Sequence, residues 1–453
     1  MNISATLNAR KILLSILTIT TFGFGAKAQF QQITPIDFDG AVDGSVTFAD
    51  MDGDNDQDVI ITGTSTSLQG TSKLYRNDGN GVFTEILGSP FVGVYHSSVA
   101  IADVNGDNYQ DILITGYNNS NQATTKLYTN NGNGFLTFTE ATGTPFEDVY
   151  NSAVAFADID NDNDLDVLIT GYNNSAQRIA KLYTNNGNGI FTEVIGTPFV
   201  GVLSTSIAFA DIDGDSDQDV LITGQNSANQ IITKLYSNNG SGIFTEVTST
   251  SFDGVIKSSI AFADIDGDND QDVLITGQNN SNQKISKLYT NDGSGVFTEL
   301  TGLPFDGVVN SSIAFADIDN DNDQDLLITG ENTFSQRISK LYINNGSGTF
   351  TITGTPFENI TRSSIAFADI DGDNDQDVLI SGEKLGNYIS FAYRNNTTVF
   401  TNSIIVQGQA GATTITTNSG TLQMLATVSP ANATDNTRPL HGKLFINWFV
   451  LIV

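Results

Sequence analysis

The chain holds 453 residues, 43 of them glycine and none cysteine, and carries a formal charge of −32. So acidic a surface repels nucleic acid and anionic membranes, which excludes both as partners, and the lack of cysteine excludes disulfide bracing and thiol chemistry. Wholesale disorder is excluded too, because 39% of residues are hydrophobic, 28 are phenylalanine, and the acids gather at regular intervals.

Residues 1–28 read as an export signal. Arg10 and Lys11 give a positive start, Ile12 to Gly25 an apolar centre, and Ala26-Lys27-Ala28 a small-x-small cleavage site before Gln29. The stretch is too short and too rich in Thr and Gly for a transmembrane helix, so the expected location is secreted, extracellular or at the cell surface. Its removal takes three of the 19 basic residues and none of the 51 acidic ones, leaving 16 against 51, or −35.

Residues 29–406 repeat. The string Ala-Asp-hydrophobic-Asp/Asn places its aspartate at 50, 103, 158, 211, 264, 317 and 369, seven units spaced 52 to 55 residues apart. The unit beginning at Ser258 carries four strand signals: Ser259–Ala263, Asp272–Thr276, Ile285–Thr290 and Val296–Leu300. Between the last two, Asn291-Asp-Gly-Ser-Gly295 is a hairpin signal, since Asn and Gly accept positive φ at little cost. No segment has a capped helical period. Four antiparallel strands in about 50 residues, repeated radially, predict an all-β fold, a seven-bladed β-propeller of four-stranded blades, over a linear β-solenoid. The first strand, apolar on both faces, is expected to wedge between blades. The outer-strand signature of Phe followed by Thr or Gln occurs once more than the metal loop, so either Phe30–Ile33 or Phe400–Val406 supplies the last blade's outer strand.

Each unit carries a nine-residue acidic loop between its first two strands. Side chains at loop positions 1, 3, 5 and 9 are candidate ligands: Asp50, Asp52, Asp54 and Asp58 in the first loop, Asp103, Asn105, Asp107 and Asp111 in the second, Asp158, Asp160, Asp162 and Asp166 in the third. The fourth offers Asp211, Asp213, Asp215 and Asp219, the fifth Asp264, Asp266, Asp268 and Asp272. Asp317, Asp319, Asp321 and Asp325 follow in the sixth, and Asp369, Asp371, Asp373 and Asp377 in the seventh. Position 7, held by Asp56, Tyr109, Asp164, Asp217, Asp270, Asp323 and Asp375, is expected to contribute only its main-chain carbonyl, which explains how Tyr can stand there. Four or more hard oxygen donors suit Ca²⁺, whereas Mg²⁺ demands a strict octahedron and Zn²⁺ wants Cys or His. About seven structural calcium ions are expected. An EF-hand is ruled out because its position-12 glutamate is replaced by strand residues such as Ile275. The second loop, with less charge, is expected to bind most weakly.

The segment Ala102-Asp-Val-Asn-Gly-Asp-Asn-Tyr-Gln-Asp-Ile-Leu-Ile-Thr-Gly116 resembles the FG-GAP or VCBS-type repeat of integrin α-subunit propellers and many bacterial surface proteins. The resemblance implies calcium held by side chains 1, 3, 5 and 9 and by the position-7 carbonyl of each loop. Position 6 departs from the pattern, with Asn or, at Ser216, Ser in place of Gly. Residues 404–437 resemble the opening of a bacterial group-2 Ig-like domain, with 407–437 as a partial Ig-like segment. The apolar tail 438–453 is too short to complete it or to span a bilayer, and is expected to reflect truncation or a frameshift.

Loops between strands one and two and between three and four share one face of a blade, leaving the other face for ligands. That face carries Asn/Gln/Ser-rich hairpins such as Tyr117–Gln122 and Gln278–Gln283, suited to sugar hydroxyls or polar protein surfaces, or equally to water. One position varies while its neighbours repeat: Asp43, His96, Asn151, Ser204, Lys257, Asn310 and Arg362, just before each inner strand. These are expected to ring the mouth of a central channel and choose an extracellular glycan or protein ligand. No nucleophile triad, phosphate loop or distinctive acid/base group breaks the repeat symmetry, so a noncatalytic binding or adhesion module is expected, with a calcium-dependent polysaccharide lyase or hydrolase, or a passive surface protein, as alternatives.

Overall fold

A computed structural model describes residues 30–34, 38–354 and 356–396, with strands at 404–405, 413–417 and 420–424. Residues 1–28, expected to be an export signal, Phe400 and the apolar tail lie outside the described residues. Two compact units divide the chain, one of them residues 28–397. In the other, Ile404–Ile405, Thr413–Thr417 and Gly420–Met424 form a three-stranded antiparallel sheet. No helix among the described residues is long and apolar enough to cross a membrane.

The larger unit is all-β and built from repeated four-stranded antiparallel sheets of the propeller type. In the fifth repeat the strands are Val255–Ala263, Asp272–Asn279, Lys284–Asn291 and Phe297–Leu300, paired in chain order. The second strand is the one buried on both faces: Asp272 through Gly277 are all buried, as are their equivalents in every repeat. This corrects the expectation for the first strand, whose small Ser and Ala side chains leave it half-exposed (Ser258, Ser259 and Ala261, for example).

First strands also begin earlier than their alternation suggests. A bulge between Ile256 and Ser259 shifts the register at Lys257, and the same shift recurs at His96, Asn151, Ser204, Asn310 and Arg362. The extra residue breaks the period of two, so sequence reading stops the strand at the bulge.

Apolar clusters straddle successive repeats, so no repeat has a core of its own. Met51, Ile60 and Leu74, for instance, pack with Val94, Ile112 and Tyr128 of the next repeat. Each cluster is finished by aromatics: Phe252 meets Tyr289 edge-on at 5.0 Å and Phe297 at 5.5 Å. The tyrosine oxygen then accepts a linker N–H, as Tyr128 does from Val92. The last repeat packs on the first in the same way, with Ala368, Ile370 and Leu379 against Val46, Val59 and Tyr75. Its outer strand comes from the N-terminal side: Phe30–Gln32 pairs antiparallel with Asn387–Asn395.

Candidate functional site

The acidic turn between first and second strands folds on its own hydrogen bonds. In the first loop Asp50 Oδ1 accepts from the N–H of Gly53 and Asp54, and Oδ2 from Asn55, at 2.8, 3.2 and 3.0 Å. Asp54 Oδ1 accepts from Asp56 N–H at 3.0 Å, a bond that recurs from Tyr109 to Asp107, Asp164 to Asp162, Asp217 to Asp215, Asp270 to Asp268, Asp323 to Asp321 and Asp375 to Asp373. Position 6 adopts the left-handed conformation in all seven loops, Ser216 included at φ 73°. Asn reaches this region at small cost. Position 7 turns its side chain toward the following hairpin, where a Cβ on Gly79 would sit 2.4 Å from Asp56 and one on Gly132 2.5 Å from the Tyr109 ring. That spends the side chain away from the loop.

Position 9 is the anchor. Asp58 is fully buried; its Oδ2 accepts from Met51 N–H at 3.2 Å and its Oδ1 from Asn77 N–H at 2.9 Å. Asp111, Asp166, Asp219, Asp272, Asp325 and Asp377 repeat both bonds. Burial pushes these carboxyls up, to about 7 for Asp58, Asp166, Asp325 and Asp377 and to about 6 for Asp111, Asp219 and Asp272, against the pull of the two N–H donors.

Position 3 carries the signal for a cation. Oδ1 of Asp52, Asp160, Asp213, Asp266, Asp319 and Asp371 is buried without a hydrogen-bond partner, a cost no protein group offsets. Burial and the neighbouring loop carboxylates raise these groups, Asp319 to about 7. Positions 1, 3 and 9 converge. In Asp50/Asp52/Asp58, Asp158/Asp160/Asp166, Asp211/Asp213/Asp219, Asp264/Asp266/Asp272 and Asp317/Asp319/Asp325, one oxygen from each residue lies within 4.8 Å of the others. Asn105 differs: its Oδ1 accepts from Asp107 N–H at 3.0 Å. The donor set, all hard oxygens and in six loops including a buried carboxylate oxygen without a partner, fits a divalent cation of the calcium kind.

Two features escaped sequence reading. Asn at the end of each third strand binds Asp at position 9 through its backbone and, through Nδ2, the position-2 carbonyl of the preceding repeat. Asn130 reaches Met51 at 2.6 Å, Asn185 Val104, Asn238 Ile159, Asn291 Ile212, Asn344 Ile265 and Asn395 Ile318 at 2.8 Å, and Asn77 reaches Ile370 of the last repeat at 2.9 Å. Each acidic loop is thereby tied to the next repeat. The recurring Asn in that place was the available clue, but it read as a turn residue. The second feature is arginine. Among the described ion pairs only Arg76, with Asp52 at 3.0 Å and Asp54 at 3.4 Å, and Arg394, with Asp371, reach the loops.

On the opposite face the seven variable residues Asp43, His96, Asn151, Ser204, Lys257, Asn310 and Arg362 lie together around one cavity of about 180 Å³. Six of them sit inside the first strands, at the bulge, and not ahead of them, while Asp43 lies between the short strands Ala41–Val42 and Val46–Ala49. All seven have φ between 45° and 53°, a strained conformation that turns the side chain off the ladder. Just beyond them a hydroxyl pair joins consecutive repeats six times, from Thr62 with Ser97 to Thr329 with Ser363. At the remaining junction Gly44 supplies no hydroxyl, and Arg362 pairs with Asp43 instead. His96 Nδ1 lies 3.6 Å from the same Asp43, and burial lowers the imidazole's affinity for a proton despite that carboxylate. The Asn-rich hairpins are largely committed within the fold: Asn118 Oδ1 caps its own turn, accepting from Ser120 and Gln122, and Asn173, Asn226, Asn279 and Asn332 do the same.

An FG-GAP-like repeat family matches the chain over residues 50–114, 103–169, 164–222, 211–275, 264–328 and 317–380. No curated protein matches it significantly. Among solved structures, a fungal alcohol oxidase in complex with copper aligns with a TM-score of 0.51 at 12% identity, over 86% of this chain and 84% of that one. A Bacillus licheniformis rhamnogalacturonan lyase aligns at 0.45 and 12% over 81% and 75%, and AofleA from Arthrobotrys oligospora at 0.41 and 11% over 73% and 90%. The first of these is a likeness of fold alone, to repeated β-sheets of the propeller type.

Proposed function

The chain belongs to the family of FG-GAP-like repeat proteins, and from that premise we propose a secreted or cell-surface, calcium-loaded propeller of seven blades that binds an extracellular glycan or protein without transforming it. The observation that carries this reading is the cavity lined by one variable residue from every repeat, set in a framework whose other positions are nearly constant. A uniform scaffold with one varied ring is the arrangement expected of a recognition surface. Ring closure is supported by Phe30–Gln32 pairing with the last repeat's third strand and by the Asn77–Ile370 bond. The orphaned position-3 oxygens support calcium on the opposite face, where it would supply the positive charge that 51 acidic residues lack. No calcium chemistry is asked of it beyond holding the turns.

A second reading, catalysis at the channel mouth, draws on one observation: His96, Asp43 and Arg362 form an ionisable cluster beside the single junction without a hydroxyl pair. Both readings meet one experiment. The full chain is offered a panel of polysaccharides and extracellular matrix proteins, with calcium and with chelator, scoring retention and new reducing ends separately. Retention that needs calcium, weakens in Lys257→Ala and releases no product is the expected result. Product that disappears in His96→Ala would overturn the noncatalytic reading.

A further inference from the structure

Because the repeats are so alike, departures from the pattern on one face stand out. On the face opposite the Asp loops four tyrosines gather in two neighbouring repeats, as the cross-strand pairs Tyr95–Tyr117 and Tyr150–Tyr172. The same pair is Val42–Thr64, Leu203–Gln225, Ile256–Gln278, Val309–Glu331 and Thr361–Glu383 elsewhere. The rings form a continuous ladder. Tyr95 and Tyr117 are 5.6 Å apart, Tyr117 and Tyr150 meet edge-on at 4.0 Å, and Tyr150 and Tyr172 edge-on at 5.6 Å. All four are half-exposed. One end touches the channel mouth, where Tyr95 packs on His96 at 5.3 Å.

The other end opens into a cavity of about 610 Å³ lined by Tyr172, Gln177, Arg178 and Ser227 among others. It lies where Ser227 stands in place of an Asn that three other repeats carry. Asn119 clamps Gly70 of the preceding repeat, accepting from its N–H at 2.7 Å and donating to its carbonyl at 3.0 Å. Asn174 clamps Ala123 in the same way, and Asn280 donates to Ile231. In the repeat between those of Asn174 and Asn280, the equivalent residue is Ser227, too short to bridge to Arg178. The gap stays open, and Arg178 turns to Gln225 and Asn229 at 3.2 and 2.8 Å.

We propose that the tyrosine ladder and the Ser227 cavity form one binding site for a neutral oligosaccharide, laid along the rings with one sugar seated in the cavity. Tyrosine faces attract the weakly positive C–H faces of sugars, and amide, hydroxyl and guanidinium groups in the recess fix hydroxyl orientation. The formal charge of −32 disfavours a polyanionic chain. A protein partner would need roughly 800 Å² with an apolar centre, whereas the large exposed apolar residues on this face's hairpins, Leu68, Phe334 and Leu385, belong to other repeats. The inference rests on the reading of this face as ligand-binding and names its ligand.

The test uses the full chain in millimolar calcium on an array of neutral gluco-, manno-, galacto- and xylo-oligosaccharides, with calorimetry on the best binder. Ser227→Asn installs the clamp that three other repeats use, so it should fold at least as stably; it should weaken binding about tenfold or more, as should Tyr150→Ala. Thr333→Asn, the same change facing Lys284, should leave binding unchanged. Equal binding by wild type, Ser227→Asn and Tyr150→Ala would overturn this site while leaving the face a binding surface. Binding of polygalacturonate alone, or of a protein ligand lost in Lys257→Ala, would overturn the neutral sugar but not the binding reading. No retained ligand of any kind would end both.

Discussion

At position 3 of the loops, an aspartate such as Asp213 keeps one buried oxygen without a donor. Asp213→Asn removes that charge, so the variant should melt higher than wild type in chelator and lower in calcium, a reversal readable by differential scanning fluorimetry. The position-9 aspartates give the pH dependence. Their native carboxyls hold protons up to about 6 or 7, while an unfolded aspartate releases its proton near 3.8. In chelator the native state therefore binds more protons between about pH 4 and 7, and its stability must fall as pH rises through that window. In excess calcium the order inverts, because protons compete with the ion. Arg76 supplies the first loop with a counter-charge that most loops lack, and Arg76→Thr, the residue at the equivalent Thr129, should tighten calcium there. The grouping of aspartates at positions 1, 3 and 9 was legible because one spacing recurs along the chain. Arg76 was not, because its contact joins residues 22 and 24 apart along the chain.

The elements follow from alternation wherever the ladder is regular, and the sequence-derived strand positions of the fifth repeat agree with the observed ones except at their ends. What periodicity misses is the bulge at Lys257, since one inserted residue with positive φ cancels the alternation on which the reading depends. It also misses the Asn latch, which spans repeats: Asn238 lies 79 residues from Ile159. Asn238→Ala leaves that buried carbonyl and its surroundings unsatisfied and should cost about 1–3 kcal/mol, measured by chemical denaturation in calcium. A loss confined to the metal-free protein would place the latch's role in the loop alone.

Across the whole molecule, apolar clusters shared between neighbours supply the packing, and the proposed calcium ions would add to it on the acidic face. Calcium that binds only the native chain adds about 2.7 kcal/mol per site at a hundredfold excess over Kd, so chelation should lower the melting temperature by far more than any single substitution. The repeat and its period were legible in the sequence, as was the position that varies from copy to copy and lines one cavity. The tyrosine ladder and the Ser227 cavity were not, since each emerges only when cross-strand pairing sets residues of different repeats side by side. The most direct test of the account is a count of bound calcium on the full chain, by equilibrium dialysis in millimolar calcium. About seven ions per chain, with the Asn105 loop filling last, is the predicted result; one ion or none would contradict the assignment of the seven Asp loops as calcium sites.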